Sequence, residues 1–383
     1  MIPRVFTSGG SDRSAATGLS PSVCGKAAAV IAFVLTAVGV VTIYSSGTFW
    51  AAQRYDDPDY FIKRQILGVA IGAAAFLACA FIPYRMWGKR SREVFLFTAL
   101  LLVLVLVVGS RFNGSRRWLR FAGIGLQPSE LAKLAVLIHV AAFLAAGRAD
   151  IRSFKRGFVP ALLPVAMLSA LVLIEPDFGT SLLVATLGVI VLIVGGLRLT
   201  HLLVAMAALL PAVTIVMFTR FGYIRERLGF FLGEKLPHQV EQGLIALGSG
   251  GLLGKGMGAG TGKLFYVPEV AGDFIFPAFG EEAGFVGVLF VLVLFAAFAW
   301  FGWRVATGVL ARDTFAFYLA LGISFWIPFQ ALLNMAVVSN SMPPKGIALP
   351  FISFGSSALV MNLAAVGILL NVARSSAARE SAS

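Results

Sequence analysis

Residues 27–44 have the sequence AAAVIAFVLTAVGVVTIY, in which no side chain is charged. An apolar run of about 17 to 25 residues is long enough to cross the hydrocarbon core of a membrane as a helix. Nine further predominantly apolar runs follow in the chain of 383 residues, at 66–82, 94–108, 131–146, 159–174, 181–197, 202–218, 285–303, 314–338 and 350–372. The sequence therefore predicts about ten transmembrane helices.

Composition supports the same fold class. Hydrophobic residues make up 58% of the chain and charged residues 13%, far from the composition of a soluble protein. No run shows the two-residue alternation of a membrane barrel, and lipid leaves no backbone group unpaired, so each run is predicted to be a helix. We predict an all-α polytopic membrane protein with one large extracytoplasmic loop at 219–283, a transmembrane domain at 26–373, a disordered cytoplasmic tail at 1–25 and a second cytoplasmic tail at 374–383.

The distribution of charge predicts the orientation in the membrane. An even number of helices places both termini on one side, and the short connections on that side carry roughly twice as many Lys and Arg residues as those opposite. Both termini are therefore predicted to be cytoplasmic, in a multi-pass protein of the cytoplasmic (inner) membrane. The net charge of +13 is spread over residues that flank helices, which fits anionic lipid headgroups and not nucleic acid.

A glycine-rich stretch at 242–262 does not predict a nucleotide site. It combines an apolar segment with many glycines, which indicates a short helix or re-entrant element followed by a turn. A phosphate-binding loop needs Ser or Thr after its Gly-Lys pair, whereas Leu264 follows Lys263 here. We expect no nucleotide cofactor.

Two charged residues lie near the start of the fourth predicted helix, after a basic and aromatic segment. Glu130 and Lys133 are three residues apart, so they share a helix face and can neutralise each other at membrane depth, either as a structural pair or facing a substrate. The preceding Arg116 and Arg117 either extend to lipid headgroups or bind a phosphate of a lipid-linked substrate.

Acidic residues occur in two further connections. Glu175 and Asp177 lie in a short turn between two helices, either as a solvated hairpin or as oxygen ligands for a hard divalent cation. Asp273 precedes the apolar residues Phe274 and Ile275, either as a solvated loop acid or as a general base for a sugar hydroxyl.

Together these segments resemble the SEDS family of shape, elongation, division and sporulation proteins. The resemblance lies in five ordered motifs: RRW at 116–118; QPSELAK at 127–133; EPDFGTS at 175–181; PE at 268–269 with DFIF at 273–276 and GEE at 280–282; and KG at 345–346 with LPFIS at 349–353. The motifs look closer to the division branch, FtsW, than to the elongation branch, RodA. The family usually has His-Thr before its loop aspartate, where this chain has Ala271 and Gly272.

The resemblance implies an inverting peptidoglycan glycosyltransferase that polymerises lipid II into a growing glycan strand during cell division, at the extracytoplasmic side of the membrane. It also implies a class B penicillin-binding protein, which is a transpeptidase, and other divisome proteins as partners. Two functions remain as alternatives: a lipid II flippase and an elongation polymerase of the RodA type. A scaffold without catalytic activity is a third.

The same resemblance assigns site residues. Asp273 is the expected catalytic residue. The expected substrate-binding residues are Arg116, Arg117, Trp118, Gln127, Ser129, Glu130, Lys133, Glu269, Lys345 and Ser353. A divalent cation, Mg²⁺ or Mn²⁺, is the expected cofactor, and its candidate ligands are Glu175, Asp177, Glu281 and Glu282.

Overall fold

The structure, a computed structural model, describes residues 19–112, 115–121, 124–147, 150–220, 229, 233, 236–261, 272–343 and 345–380. Twelve helices lie in these ranges: α1 Pro21–Tyr55, α2 Tyr60–Phe81, α3 Tyr84–Lys89, α4 Ser91–Val108, α5 Pro128–Ala146, α6 Val159–Ile174, α7 Phe178–Val194, α8 Leu199–Arg220, α9 His238–Ser249, α10 Ile275–Val309, α11 Thr314–Val338 and α12 Ser356–Glu380. A π-helical turn, Phe154–Phe158, leads into α6.

The predicted polytopic helical fold is confirmed. Within the described ranges, eight helices are long and apolar enough to cross a membrane, and two shorter apolar helices cover Phe178–Val194 and Leu199–Ala208. These ten coincide with the ten predicted runs. The chain is therefore a multi-pass, mainly helical membrane protein.

Local sequence signals explain where several helices begin. The Ser20 hydroxyl accepts from the Val23 N–H at 3.4 Å, and Pro21 opens α1. The Asp177 carboxylate accepts from the Thr180 N–H at 3.0 Å at the start of α7. Such side-chain caps satisfy N–H groups that the first helical turn leaves unpaired.

Glycines allow two helices to pack closely in the centre of the bundle. A methyl group added at Gly68 of α2 would lie 3.0 Å from the Ser356 Oγ of α12, and one at Gly72 would lie 2.6 Å from Leu363. Small residues of this kind let membrane helices approach through their backbones, where lipid provides no hydrophobic driving force between helices. The start of α12 is thereby fixed beside α2.

A small antiparallel sheet between α4 and α5 was not predicted. Its strands are β1 Ser110–Phe112, β2 Ser115–Phe121 and β3 Ile124–Leu126, in the order β1-β2-β3. The Ser110 hydroxyl donates to the Trp118 main-chain oxygen at 3.1 Å and ties β1 to β2. Strands this short carry too little alternation to stand out beside the long apolar runs. The all-α prediction therefore holds for the bundle, and the sheet is an addition outside it.

Helix α10 consists of two parts. Gly284 has φ +65° and ψ −170°, so the short part at 275–283 changes direction before the membrane-spanning part begins. Glycine adopts this conformation without the steric cost that a side chain would bring. The predicted helical element near 242–262 corresponds to α9, which is followed by a turn with positive φ at Gly251, Gly254, Gly256 and Gly258. Helix α12 extends to Glu380, beyond the end of the predicted run at 372.

Candidate functional site

The predicted motifs converge at one end of the bundle. The Gln127 main-chain N–H, just before α5, donates to the Ser357 hydroxyl of α12 at 3.1 Å. The Gln127 side-chain amide donates to Asp177 Oδ2, before α7, at 3.3 Å. Gln127 thus joins its own motif to the EPDFGTS motif, 50 positions away, and to the start of α12, 230 positions away.

A buried ion pair lies at the start of α5. Lys133 Nζ is 2.7 Å from Glu130 Oε2, and the two residues are 1% and 5% exposed. The ammonium also donates to Gln330 Oε1 at 2.9 Å and lies 5.0 Å from the centre of the Trp326 ring. Burial of charge at this depth is costly unless the charges are paired and hydrogen-bonded, as they are here.

Two amides of α11 organise the site and were missed in the sequence analysis. Gln330 accepts from the Trp326 indole N–H at 2.9 Å and donates to the Ala348 main-chain oxygen at 2.8 Å. Asn334, one turn further on, donates to the main-chain oxygens of Asp273 and Ile347 at 2.9 and 2.7 Å. The available signal was two amides four residues apart within a predicted membrane helix, which share one helix face.

Asp273 lies between α11 and the loop that precedes α12. Its side chain is half-buried, and its main-chain oxygen is held by Asn334. A methyl group added at Gly346 would come within 2.7 Å of Asp273 Oδ2, so the carboxylate lies directly against the backbone of the KG motif. The structure thereby joins two of the five motifs at the predicted catalytic residue.

Both arginines of the RRW motif donate to main-chain carbonyls at helix ends. Arg116 Nη1 donates to Leu106 and Val107 at 3.2 and 2.9 Å, at the end of α4. Arg117 Nε donates to Glu175 O at 3.1 Å, and its Nη2 donates to Pro176 O. A guanidinium has five N–H donors, so these bonds leave capacity for an anion. Both cations are fixed at the site end of the bundle.

Lys345 brings a third cation to this end. Its Nζ lies 4.8 Å from the centre of the Phe178 ring. Burial lowers the pKa of the Lys345 ammonium, because a charged group loses hydration there. An anion bound beside Lys345 would restore that lost stabilisation.

The remaining predicted binding residues are placed as follows. Trp118 is half-buried on β2, and the hydroxyl of the buried Ser129 has no hydrogen-bond partner among the described residues. The Ser353 hydroxyl accepts from the Leu349 N–H at 2.8 Å and shapes the turn before α12. Glu269 lies outside the described residues.

The four acids predicted as metal ligands do not form one site. Glu281 Oε1 accepts from Lys255 Nζ at 2.6 Å and from the N–H and hydroxyl of Thr261, both at 3.0 Å. The Ser45 hydroxyl lies 2.7 and 2.6 Å from the two carboxylate oxygens of Glu282. Within the ranges that the structure covers, no three His, Cys, Asp or Glu residues form a group that could hold a metal ion. Glu281 and Glu282 instead make contacts within the protein, and the divalent cation stays a prediction.

Glu175 has the most perturbed environment of these acids. It is 0% exposed, and neither carboxylate oxygen has a hydrogen-bond partner in the described part of the chain. Burial raises the pKa of Glu175 to about 9, the neighbouring Asp177 adds to the rise, and Arg117 opposes it. Burial and the neighbouring Asp177 thus favour the protonated form of Glu175 in the folded protein.

This pKa predicts how stability depends on pH. The ordinary pKa of a glutamate is 4.5, and that of folded Glu175 is about 9. Between these two pH values folded Glu175 keeps a proton that the unfolded chain releases, so the free energy of unfolding falls as pH rises. The melting temperature in lipid nanodiscs should fall between about pH 5 and about pH 9 in the wild type, and we expect Glu175→Gln to make this fall smaller. The matched control is Glu241→Gln at an exposed position. A slope that Glu175→Gln leaves as steep as in the wild type would contradict this assignment.

Comparison with known proteins supports one family. The model of the FtsW, RodA and SpoVE family, described as cell cycle protein, matches residues 26–378. The chain is 37% identical over 345 residues to a probable peptidoglycan glycosyltransferase FtsW of Trichlorobacter lovleyi, covering 88% of this chain and 90% of the relative. It is also 37% identical over 353 residues to stage V sporulation protein E of Bacillus subtilis, covering 90% and 95%.

Solved structures agree. One of them is described as "Structural coordination of polymerization and crosslinking by a peptidoglycan synthase complex". A chain of that structure superposes on this one with a TM-score of 0.75 at 27% sequence identity, and the match covers 91% of this chain and 97% of the other. The crystal structure of the rod shape determining protein RodA of Thermus thermophilus gives a TM-score of 0.67 at 28% identity and covers 91% and 95%. The expected family is confirmed: this chain belongs to the FtsW/RodA/SpoVE family of cell cycle proteins.

Proposed function

We propose that this chain is a peptidoglycan glycosyltransferase that polymerises lipid II into glycan strands during cell division. The observation that carries the proposal is the position of Asp273, half-buried against Gly346 at the end of the bundle where Arg117 and Lys345 also lie. The names of the curated relatives favour the same activity, and they include a probable peptidoglycan glycosyltransferase FtsW and a stage V sporulation protein.

In the proposed reaction, Asp273 accepts the proton of the acceptor sugar's hydroxyl as that oxygen bonds to the anomeric carbon of the donor. The bond from that carbon to undecaprenyl pyrophosphate breaks, and configuration at the carbon inverts. A general base held in position contributes typically 10²- to 10⁴-fold to such a step. Asp273 fits this role because Asn334 fixes its backbone while Gly346 leaves room for its carboxylate.

The leaving pyrophosphate develops negative charge that needs fixed cations. Arg116, Arg117 and Lys345 fit this need, because helix-end carbonyls hold the two guanidiniums and Lys345 is partly desolvated. Charge stabilisation by groups that need no rearrangement is often the largest single contribution to catalysis. The ion pair of Glu130 and Lys133 would support the start of α5 beside these residues.

Orientation, partners and cofactor are part of the proposal. The positive-inside pattern supports cytoplasmic termini and an extracytoplasmic site. The likeness to a chain of a peptidoglycan synthase complex supports a class B penicillin-binding protein as partner. A divalent cation, Mg²⁺ or Mn²⁺, stays a prediction that adding a chelator to the assay below checks.

The test is reconstitution of the purified chain in proteoliposomes with labelled lipid II, with and without its penicillin-binding partner. Products are separated by size on a gel, and movement of the lipid across the bilayer is followed in parallel. Glycan strands support the polymerase. Lipid movement without strands would favour the flippase. A protein that binds its partner but neither makes strands nor moves lipid would favour the scaffold.

Asn334 is expected to act as a positioning residue for this reaction. Asn334→Leu keeps a similar shape but removes the two N–H donors that hold Asp273 and Ile347. Loss of a buried hydrogen bond costs about 1 to 3 kcal/mol, so we expect strand synthesis at saturating lipid II to fall about ten-fold or more. Ser339→Ala, on the exposed end of α11, is the control. A melting temperature that falls with no loss of rate would assign Asn334 to stability alone.

A further inference from the structure

Two leucines stand out at the turn that follows α9. Leu252 and Leu253 are 72% and 81% exposed, among the most exposed large apolar residues in the described part of the chain. Met257, in the same turn, is 55% exposed. No residue from 245 to 254 is charged. Residues 250–258, which we call the glycine turn, therefore present an apolar tip away from the protein.

The glycine turn is held rigidly against the start of α10. Phe285 N–H donates to Gly251 O at 2.9 Å, and Val286 N–H donates to Leu252 O at 3.1 Å. A methyl group added at Gly254, which has φ +79°, would lie 2.1 Å from Glu282 O. Close backbone packing of this kind keeps the leucines extended and prevents them from folding back onto the protein.

Several backbone groups of the glycine turn are paired within the protein. Lys255 N–H donates to Glu281 O at 3.0 Å, and Gly256 N–H donates to Glu282 O at 3.1 Å. Gly254 N–H donates to Gly250 O at 2.9 Å. Irregular backbone is tolerated at membrane depth only where it is satisfied by protein or by water in a cavity.

The apolar tip also continues a surface that already faces lipid. Phe285 and Val286, which hold the turn, are 57% and 56% exposed and open the membrane-spanning part of α10. Lys255, the only charged side chain of the turn, is 32% exposed, and its Nζ is paired with the buried Glu281 Oε1 at 2.6 Å. The outward side of the turn is thus apolar and continuous with the lipid-facing side of α10.

We propose that the glycine turn is a membrane anchor that inserts Leu252 and Leu253 into the leaflet on the site side of the bilayer. The occupant of this surface is lipid acyl chain. Continuity with the exposed apolar residues of α10 favours lipid over a protein partner. The anchor fixes the depth of the short helix at 275–283, which begins two residues after Asp273. The inference does not depend on the proposed chemistry.

The test attaches an environment-sensitive fluorophore to the cysteine of Leu253→Cys. The two native cysteines, which are free and buried, are replaced in the variant Cys24→Ala, Cys79→Ala, so that the label has a single site. The full chain alone is reconstituted in nanodiscs whose lipids carry a nitroxide on the acyl chain. Val286→Cys is the control in lipid, and Ser341→Cys, exposed beyond α11, is the control in water. If Leu253→Cys does not yield folded protein, Leu252→Cys replaces it.

We expect the label at 253 to be quenched about as strongly as the label at 286 and several-fold more than the label at 341. Quenching no stronger than at 341 would overturn the proposal. The proposal would also be overturned if the fluorescence of the label at 253 reports an apolar environment only after the penicillin-binding partner is added. A protein would then occupy the surface.

Discussion

Strand synthesis is expected to fall by about 100- to 10,000-fold when Asp273 is replaced by Asn, the range that a general base contributes. Asn keeps the shape of the side chain but cannot accept the proton of the attacking hydroxyl. The Asp273 main-chain oxygen, which accepts from Asn334 at 2.9 Å, is unchanged by the substitution. The loop should therefore stay in place, and the loss should fall on the chemical step.

The measurement is gel separation of strands made from labelled lipid II by purified wild-type and variant protein. Asp57→Asn is a matched control, because Asp57 is an exposed acid in the turn after α1 whose ion pair with Lys63 is also exposed. Exposed ion pairs contribute little, so this variant should keep wild-type activity. Near-normal synthesis by Asp273→Asn would remove Asp273 from the mechanism.

The second large effect is expected for Lys133→Met. Lys133 is 1% exposed and pairs with Glu130 at 2.7 Å, so its removal leaves a buried carboxylate without its counter-charge. Removal of one partner from a buried pair costs about 3 to 5 kcal/mol. Gln330 also loses a donor, although the Trp326 indole still donates to it.

Thermal unfolding in nanodiscs measures this loss. The double variant Glu130→Gln, Lys133→Met removes both charges and should recover much of the stability, since replacement of a whole buried pair is often close to neutral. Wild-type stability in Lys133→Met alone would mean that Glu130 is in contact with water.

The helices could be predicted from the sequence because an apolar run has to match the thickness of the bilayer. The runs at 159–174 and 314–338 coincide with α6 and α11, whose ends are also the ends of the apolar segments. Helix α1 instead runs from Pro21 to Tyr55, well beyond the run at 27–44, because its last turns are polar and leave the hydrocarbon. Apolarity locates the part of a helix in lipid and not the whole helix.

The site was predictable only motif by motif. The spacing of Glu130 and Lys133 gave their pairing, since both lie on one helix. Glu282 and Ser45 are 237 positions apart in the sequence, so the spacing of neighbouring residues could not predict their hydrogen bond. Both glutamates of the GEE motif were predicted as metal ligands, and their contacts with α1 and with the glycine turn could not be predicted.

The close approach of Gly346 to Asp273 restricts how the gene can change. Every single-base change of a glycine codon that alters the residue adds at least a methyl group or stops the chain. A methyl group at 346 would lie 2.7 Å from Asp273 Oδ2 and push the carboxylate from its place. A substitution at codon 346 is therefore expected to act through the position of the Asp273 carboxylate, since the end of that side chain is the part that has to move.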